Sequence, residues 1–213
     1  MTILAAEIER YLHSLARSDD PVLLEMERVA EERDFPIVGP LVGRLLFVLA
    51  RSAGASRVLE LGSGFGYSAQ WFARAVPEDG LVVLTEGSRE RAAEARAYLE
   101  RSGLLSRCRI EVGSALEILA EEKGEFDVVF NDIDKQQYGE VYDAARRVLR
   151  PGGLLISDNM LWYGKVLEES PSDPATAGVL ALTRKLHASS EFTTTLVPLR
   201  DGVTVSVRSG RPG

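Results

Sequence analysis

From Arg57 onward, short strand-like runs alternate with helical segments, and this alternation restricts the fold more than any other feature of the sequence. Runs of β-branched and aliphatic residues predict strands at 58–62, 81–86, 108–113, 126–132 and 153–159. Helical periodicity predicts helices between them, at 67–76, 88–102, 114–121 and 137–149. Because parallel strands are joined by helices that cover both sheet faces, the pattern predicts an α/β protein with a doubly wound parallel sheet.

Both ends of the chain depart from this alternation. Residues 1–56 have helical periodicity and predict three helices. Near the C-terminus, a helix at about 174–189 is followed by two strand-like runs around Asp201-Gly202, which is a hairpin signal. We therefore expect seven strands, one of them antiparallel. We also expect one domain over 1–213, with a helical segment (1–56) packed on a core (57–213).

Composition narrows the classes of partner. The net charge of −7 disfavours nucleic acid as a bulk partner, because an acidic surface repels phosphates. The single cysteine, Cys108, excludes an internal disulfide and agrees with a cytoplasmic location; we interpret it as a small residue at a strand start. No run approaches the roughly 20 apolar residues that span a bilayer, and no signal-peptide pattern is present, so we expect no membrane association.

A glycine-rich loop, Glu60-Leu-Gly-Ser-Gly-Phe-Gly-Tyr-Ser68, joins the first predicted strand of the sheet to the next helix. Its glycines allow a tight turn and close backbone approach by a ligand, and the helix that follows offers free N–H groups. The spacing G-x-G-x-G differs from the dinucleotide fingerprint G-x-G-x-x-G. Glu60 would repel a pyrophosphate but suits a cationic amine, and Glu86 can accept two hydrogen bonds from a ribose diol. S-adenosylmethionine has these groups; the simpler interpretation is an ordinary helix-start turn.

Oxygen-bearing side chains follow two predicted strands. Asp132 ends the fourth strand, and Asp158 and Asn159 end the fifth. Neighbouring parallel strands would bring them together at the edge where such sheets bind ligands. Oxygen-only ligation suits Mg²⁺, Mn²⁺ or Ca²⁺. Zinc is disfavoured, because the only histidines, His13 and His187, lie in helical segments.

Lys135 lies on the turn just after Asp132. Its simplest interpretation is a counter-charge to Asp132 or Asp134. Alternatively, a nearby metal ion and sulfonium would disfavour its charged form, and a neutral lysine can act as a general base. We expect Asp134 to cap the next helix rather than bind the ion.

Taken together, these residues resemble the cation-dependent class I O-methyltransferases, which include the catechol and caffeoyl-CoA O-methyltransferases. The resemblance covers nearly the whole chain and rests on ELGSGFGYS, NDIDKQQY, ISDNMLWYGKV and VPLRDGVTVSV. It implies a Rossmann-like fold and metal-dependent methyl transfer from S-adenosylmethionine to a vicinal-dihydroxy aromatic small molecule. It also implies a homodimer formed with the N-terminal helices.

Carried over residue by residue, the resemblance implies three sets of site residues. The catalytic base would be Lys135, and the metal ligands would be Asp132, Asp158 and Asn159. The implied cofactor contacts are Val38, Glu60, Gly62, Ser63, Gly64, Ser68, Glu86, Ala115 and Asp132. Among these, Glu60 and the Val38 backbone would meet the methionine end, Glu86 the ribose and Ala115 the adenine. Trp162 would border the acceptor pocket, which we expect to involve residues 36–41, 162–167 and the C-terminal hairpin.

The sequence departs from the family pattern at three positions. Asn131 stands where an aliphatic residue is usual, Ser114 where aspartate is usual, and Tyr163 where glycine is common. We expect Ser114 to weaken adenine binding and Tyr163 to narrow the acceptor pocket or stack on the acceptor.

Three other functions remain open at this point. The acceptor could be a hydroxylated nucleoside in tRNA, although the acidic composition argues mildly against it. A nucleotide-binding module without catalysis would not need Asp132, Lys135, Asp158 and Asn159 together. A nicotinamide dehydrogenase is disfavoured by the glycine spacing.

Overall fold

The computed structural model describes residues 5–168 and 171–210. Within these ranges the helices are α1 (Ala6–Ala16), α2 (Pro21–Glu32), α3 (Gly39–Ser52), α4 (Tyr67–Ala75), α5 (Arg89–Arg101), α6 (Ala115–Glu121), α7 (Tyr138–Val148) and α8 (Pro174–Ala188). The strands are β1 (Arg57–Leu61), β2 (Leu81–Glu86), β3 (Cys108–Val112), β4 (Phe126–Asn131), β5 (Leu149–Ser157), β6 (Phe192–Val197) and β7 (Val203–Arg208). Short 3₁₀ turns lie at Leu105–Arg107, Lys135–Gln137 and Trp162–Leu167.

The strands form one seven-stranded sheet in the order β3-β2-β1-β4-β5-β7-β6. Neighbours from β3 to β5 are parallel, and β7 is antiparallel to both β5 and β6. The predicted mostly parallel sheet with a C-terminal antiparallel hairpin strand is therefore confirmed. Cys108 opens β3, as expected of a small residue at a strand start.

The start of β5 differs from the sequence prediction. The strand begins at Leu149, which pairs with Phe126 before the register shifts between Phe126 and Val128. The strand was expected to begin only at residue 153, but Pro151-Gly152-Gly153 lies within β5. The irregular register accommodates a proline and two glycines that a regular ladder would disfavour.

Two hydrophobic clusters lie on opposite faces of the sheet. One packs α2, α3, α4 and α5 on side chains such as Val58 and Phe130, and the other packs α6, α7 and α8 on side chains such as Leu59 and Val129. Successive residues of a strand point to opposite faces of the sheet. The near-continuous apolar runs in the sequence therefore supply side chains to both hydrophobic clusters.

The N-terminal helices divide into two kinds. Helices α2 and α3 contribute buried side chains to the core, and Asp20 caps α2 by accepting hydrogen bonds from Val22 N–H (2.9 Å) and Leu23 N–H (3.2 Å). Helix α1 instead lies against α3 and buries only Ala16 of its own residues. The first four residues of the predicted helix lie outside the described ranges. None of the described helices is long and apolar enough to cross a bilayer.

Candidate functional site

A cavity of about 1160 Å³ opens at the carboxyl ends of the parallel strands. The predicted site residues that line it come from loops far apart in sequence: Val38, Gly62, Ser63, Gly64, Ser68, Glu86, Ala115, Asp132, Lys135, Asp158 and Asn159. Glu60 lies fully buried beneath the cavity. The sheet topology thus brings the glycine loop and the acidic cluster to one site, at the position where open α/β sheets bind ligands.

The glycine loop is held against both neighbouring strands. Gly62 has a φ of +82°, and a Cβ at this position would lie 2.7 Å from the carbonyl oxygen of Asp132. The hydroxyl of Thr85 accepts a hydrogen bond from Gly62 N–H and donates one to the Glu60 carbonyl, both at 3.1 Å. A glycine here therefore allows β1, β2 and β4 to converge under the ligand.

Glu60 is a buried carboxyl group at the floor of this loop. Its Oε1 accepts a hydrogen bond from the Ser68 hydroxyl, whereas Oε2 is buried and has no hydrogen-bond partner among the described residues. Burial raises the pKa of Glu60 to about 8; the Ser68 hydroxyl opposes this rise, and the charges of Asp132 and Glu86 add to it. The free oxygen is suited to a cationic group of a bound ligand.

Glu86 lines the cavity at the end of β2, the strand beside β1. Its Oε1 accepts hydrogen bonds from Ser88 N–H at 2.7 Å and from Arg91 Nε at 2.9 Å, so the carboxylate is fixed at the cavity wall. The Arg91 guanidinium also lies 5.9 Å from the centre of the Phe35 ring, and that ring packs on Phe65 at 5.2 Å. Phe35 and Arg91 were not predicted as lining residues, because they come together only where the α2–α3 loop meets α5.

The acidic cluster contains an ion pair. Lys135 Nζ donates a hydrogen bond to Asp132 Oδ1 at 2.7 Å and lies 5.2 Å from the centre of the Tyr138 ring. Only 12% of the Lys135 side chain is exposed. Burial raises the pKa of Asp132, and the Lys135 ammonium opposes the rise. Lys135 thus acts as a counter-charge to Asp132 in the structure. This ion pair does not decide whether Lys135 is also a general base.

Asp158 and Asn159 follow β5 beside Asp132, because Asn131 and Ser157 are register partners in the sheet. Burial raises the pKa of Asp158 to about 7, and the charge of Asp132 adds to this effect. No group of three or more His, Cys, Asp or Glu side chains in the described ranges is arranged to hold a metal ion. The set here is two carboxylates and an amide, and two mutually repelling carboxylates with a neighbouring amide oxygen suit a hard divalent cation.

Three further segments line the cavity. Trp162 and Tyr163 line it with their rings 5.6 Å apart, and Leu199, Arg200 and Asp201 line it from the β6–β7 turn. Pro36, Ile37 and Val38 line it from the α2–α3 loop, and Leu41 lines it from the first turn of α3. The C-terminal hairpin was expected near the site, but Asp201 was not predicted as a site residue, because an Asp-Gly pair is typical of any hairpin turn.

Some expectations at single residues need correction or detail. Asp134 stands at the N-cap of the Lys135–Gln137 turn, but its side chain makes no capping hydrogen bond, so the expected capping role is wrong. Ser114 is exposed and also makes no capping bond at the start of α6. Asn131 is fully buried, and its amide donates to the Ser157 hydroxyl at 3.3 Å. Its polarity is thus partly accommodated below the cavity.

Comparison with known proteins agrees with this arrangement. The family model described as O-methyltransferase matches residues 13–209. A catechol O-methyltransferase of Niastella koreensis is 35% identical over 198 residues, covering 90% of each chain.

Two solved structures extend the comparison to three dimensions. The O-methyltransferase TomG of Streptomyces achromogenes, in complex with SAM, has a TM-score of 0.88 at 32% identity and covers 96% of both chains. An O-methyltransferase of Bacillus cereus in complex with SAH has a TM-score of 0.87 at 29% identity, covering 95% of this chain and 97% of that one. The sequence match spans the glycine loop, the acidic cluster and the C-terminal hairpin alike. The chain therefore belongs to the family of S-adenosylmethionine-dependent O-methyltransferases.

Proposed function

We propose that the enzyme methylates one hydroxyl of a vicinal-dihydroxy aromatic small molecule and needs a divalent cation, Mg²⁺ or else Mn²⁺ or Ca²⁺. One observation carries this proposal. The oxygen donors Asp132, Asp158 and Asn159 line the same cavity as the glycine loop, with Lys135 beside them. A ligand that spans this cavity would touch both groups of residues.

The cofactor would lie along the glycine loop, where S-adenosylmethionine supplies the methyl group. Glu60 and Ser68 would face its amino-acid end, Glu86 would accept the ribose hydroxyls, and Ala115 would lie at the adenine. The carboxylate of Glu86 is already oriented by Ser88 and Arg91, so little ordering remains on binding.

The metal would be held by Asp132, Asp158 and Asn159. A divalent cation there supplies Lewis acidity that lowers the pKa of an acceptor hydroxyl. The residues themselves favour such an ion, because the charge of Asp132 raises the pKa of Asp158 and only one ammonium, that of Lys135, pairs with Asp132 in the described cluster.

Lys135 would act as the general base. Its Nζ would take the proton of the acceptor hydroxyl, and Asp132 orients that nitrogen at 2.7 Å. The low exposure of its side chain limits competing contact with water.

The acceptor would lie between the aromatic rings of Trp162 and Tyr163 and the acidic cluster. Besides the residues already named, the cavity lining contains more acidic side chains (Glu9, Asp134, Asp173 and Asp201) than basic ones (Arg91 and Arg200). This acidic excess favours a small neutral or cationic aromatic over a polyanion. The alternative acceptor, a hydroxylated nucleoside in tRNA, gains no support from the comparisons.

The enzyme would be a homodimer that uses α1. The side chains of Ile8, Tyr11 and Leu15 are 50%, 60% and 59% exposed and occupy one face of that helix. An apolar helix face of this kind is best explained by a second copy of the chain that covers it.

Methyl transfer to a panel of dihydroxy and monohydroxy aromatics tests the proposal. We expect transfer only to vicinal diols, loss of activity with a chelator, and recovery with Mg²⁺. Full activity after exhaustive chelation would exclude the metal, and equal transfer to monohydroxy compounds would exclude the acceptor class. A thermal shift with S-adenosylmethionine but not with NAD would check cofactor binding separately.

A further inference from the structure

The β6–β7 turn, Arg200-Asp201-Gly202, makes specific contacts with the loop that follows β5. We propose that Asp201 is a positioning residue that fixes the loop from Asn159 to Tyr163 at the side of the cavity that the acceptor would occupy. This inference rests on the proposed function, in which Asn159 is a metal ligand and Trp162 borders the acceptor.

Backbone hydrogen bonds join the turn to the loop. Met160 N–H donates to the Gly202 carbonyl at 2.9 Å, and Leu161 N–H donates to the Asp201 carbonyl at 2.8 Å. Gly202 has a φ of +83°, and a Cβ there would lie 2.6 Å from Leu161 Cγ. The turn and the loop are therefore packed in direct contact.

The carboxylate of Asp201 adds contacts that a plain hairpin turn does not need. Its Oδ1 accepts a hydrogen bond from Tyr163 N–H at 2.7 Å. Its Oδ2 is buried and, among the described residues, has no hydrogen bond of its own. The carboxylate is thus tied to the loop through one oxygen, and the other oxygen is enclosed without a donor.

The loop that it contacts has an unusual backbone. Asn159, Trp162 and Tyr163 have φ values of +56°, +45° and +53°. Such angles are uncommon outside glycine, above all for large aromatic side chains, and they persist only when the surroundings hold them. The hydrogen bonds to Asp201 and Gly202 supply that restraint.

Restraint of this loop has a consequence for the proposed metal site. Asn159 begins the loop and lines the cavity, so loss of the contact between Asp201 and Tyr163 would let this proposed ligand shift. Outer-shell partners of this type usually change metal affinity by about 10- to 100-fold when they are removed. The hairpin turn would then influence both the affinity for the metal ion and the position of the Trp162 and Tyr163 rings.

The substitution Asp201→Asn tests this role in the full-length enzyme. It keeps an oxygen acceptor for Tyr163 N–H but removes the negative charge and replaces the buried Oδ2 by an amide nitrogen. The matched control is Asp134→Asn, which removes one charge from the same cavity without a side-chain capping bond. Mn²⁺ affinity is measured by electron paramagnetic resonance, and S-adenosylmethionine affinity is measured by calorimetry. Amide hydrogen exchange of the loop is followed by mass spectrometry on a peptide that covers residues 160–164.

We expect Asp201→Asn to weaken Mn²⁺ binding by about 10- to 100-fold and to speed exchange in that peptide. The dissociation constant for S-adenosylmethionine should stay within about twofold, whereas KM for the acceptor rises. The control should leave exchange unchanged and reduce Mn²⁺ affinity by no more than about threefold.

Two results would overturn the inference. One is a Mn²⁺ affinity and an amide exchange rate in Asp201→Asn that equal those of the wild type. The other is an equal loss of Mn²⁺ affinity in Asp201→Asn and Asp134→Asn, which would show that only the lost charge matters. If the wild-type enzyme binds no Mn²⁺, the proposed metal dependence is wrong. The role of Asp201 is then decided by the amide exchange rate of the loop and by KM for the acceptor. Should Asp201→Asn unfold, Asp201→Glu takes its place, with the same expected pattern.

Discussion

Glu60 illustrates at the scale of one residue how burial links cofactor binding to stability. Its carboxyl group is enclosed below the glycine loop, with one oxygen bonded to Ser68 and a pKa raised to about 8. The ordinary value near 4.5 applies to the unfolded chain. Between these pH values the folded state binds more protons than the unfolded one, so this group makes stability fall as pH rises.

The substitution Glu60→Gln removes this titration. In the absence of cofactor, we expect the free energy of unfolding to decline less between pH 5 and pH 9 than in the wild type, by a few kcal/mol at the upper end. Urea unfolding across the pH range measures it. Glu78→Gln, at an exposed position, is the control and should leave the pH profile unchanged. A Glu60→Gln profile parallel to wild type would show that Glu60 is ionised in the folded protein.

Lys135 has two interpretations that one pair of variants separates. Lys135→Arg keeps a cation for Asp132 but cannot act as a base at neutral pH, whereas Lys135→Ala loses both functions. If Lys135 is the base, both variants should lower kcat by about 10²- to 10⁴-fold while cofactor affinity changes little. Steady-state kinetics and calorimetry measure the two quantities. Near-normal turnover in Lys135→Arg would leave only the counter-charge role, and Lys185→Ala on the surface of α8 controls for loss of a lysine.

At the scale of elements, the strands and helices around the site could be predicted because their patterns are local. The run 81–86 coincides with β2, and 67–76 exceeds α4 by one residue. The start of β5 could not be predicted, since its pairing across a register shift depends on β4. The same limit applies to Asp201, whose contacts with Tyr163 join two segments far apart in sequence.

Helix α8 sets the position of the turn that carries Lys135. A Cβ at Gly178 would lie 2.1 Å from the Lys135 carbonyl oxygen, so any side chain there must displace that turn. We expect Gly178→Ala to lower kcat by at least about tenfold and stability by about 1–3 kcal/mol, despite the better helix propensity of alanine.

The control for this substitution is Gly139→Ala in α7. A Cβ at Gly139 would meet Ala181 Cβ at 3.3 Å across the same helix pair, without touching the turn. Kinetics and thermal unfolding of both variants decide the matter. Equal kcat values in the two variants would mean that the contact between α8 and the turn does not position Lys135.

For the whole molecule, the exposed apolar face of α1 bears on assembly, because a single chain buries only Ala16 of that helix. We expect the wild type to be a dimer in sedimentation experiments and Tyr11→Glu with Leu15→Glu to be a monomer, because charges on that face oppose its burial. Arg10→Glu, a charge change at another exposed position of the helix, is the control and should remain dimeric. A wild-type monomer, or a dimer that tolerates both glutamates, would place the interface elsewhere or exclude it.

In the proposed enzyme, three oxygen donors converge on one divalent cation beside the cofactor. Anomalous diffraction from crystals grown with Mn²⁺ and S-adenosylmethionine is the decisive measurement. We expect one strong anomalous peak within coordination distance of oxygens from Asp132, Asp158 and Asn159. Bound S-adenosylmethionine with no anomalous peak at these side chains, or with the three turned apart, would contradict it.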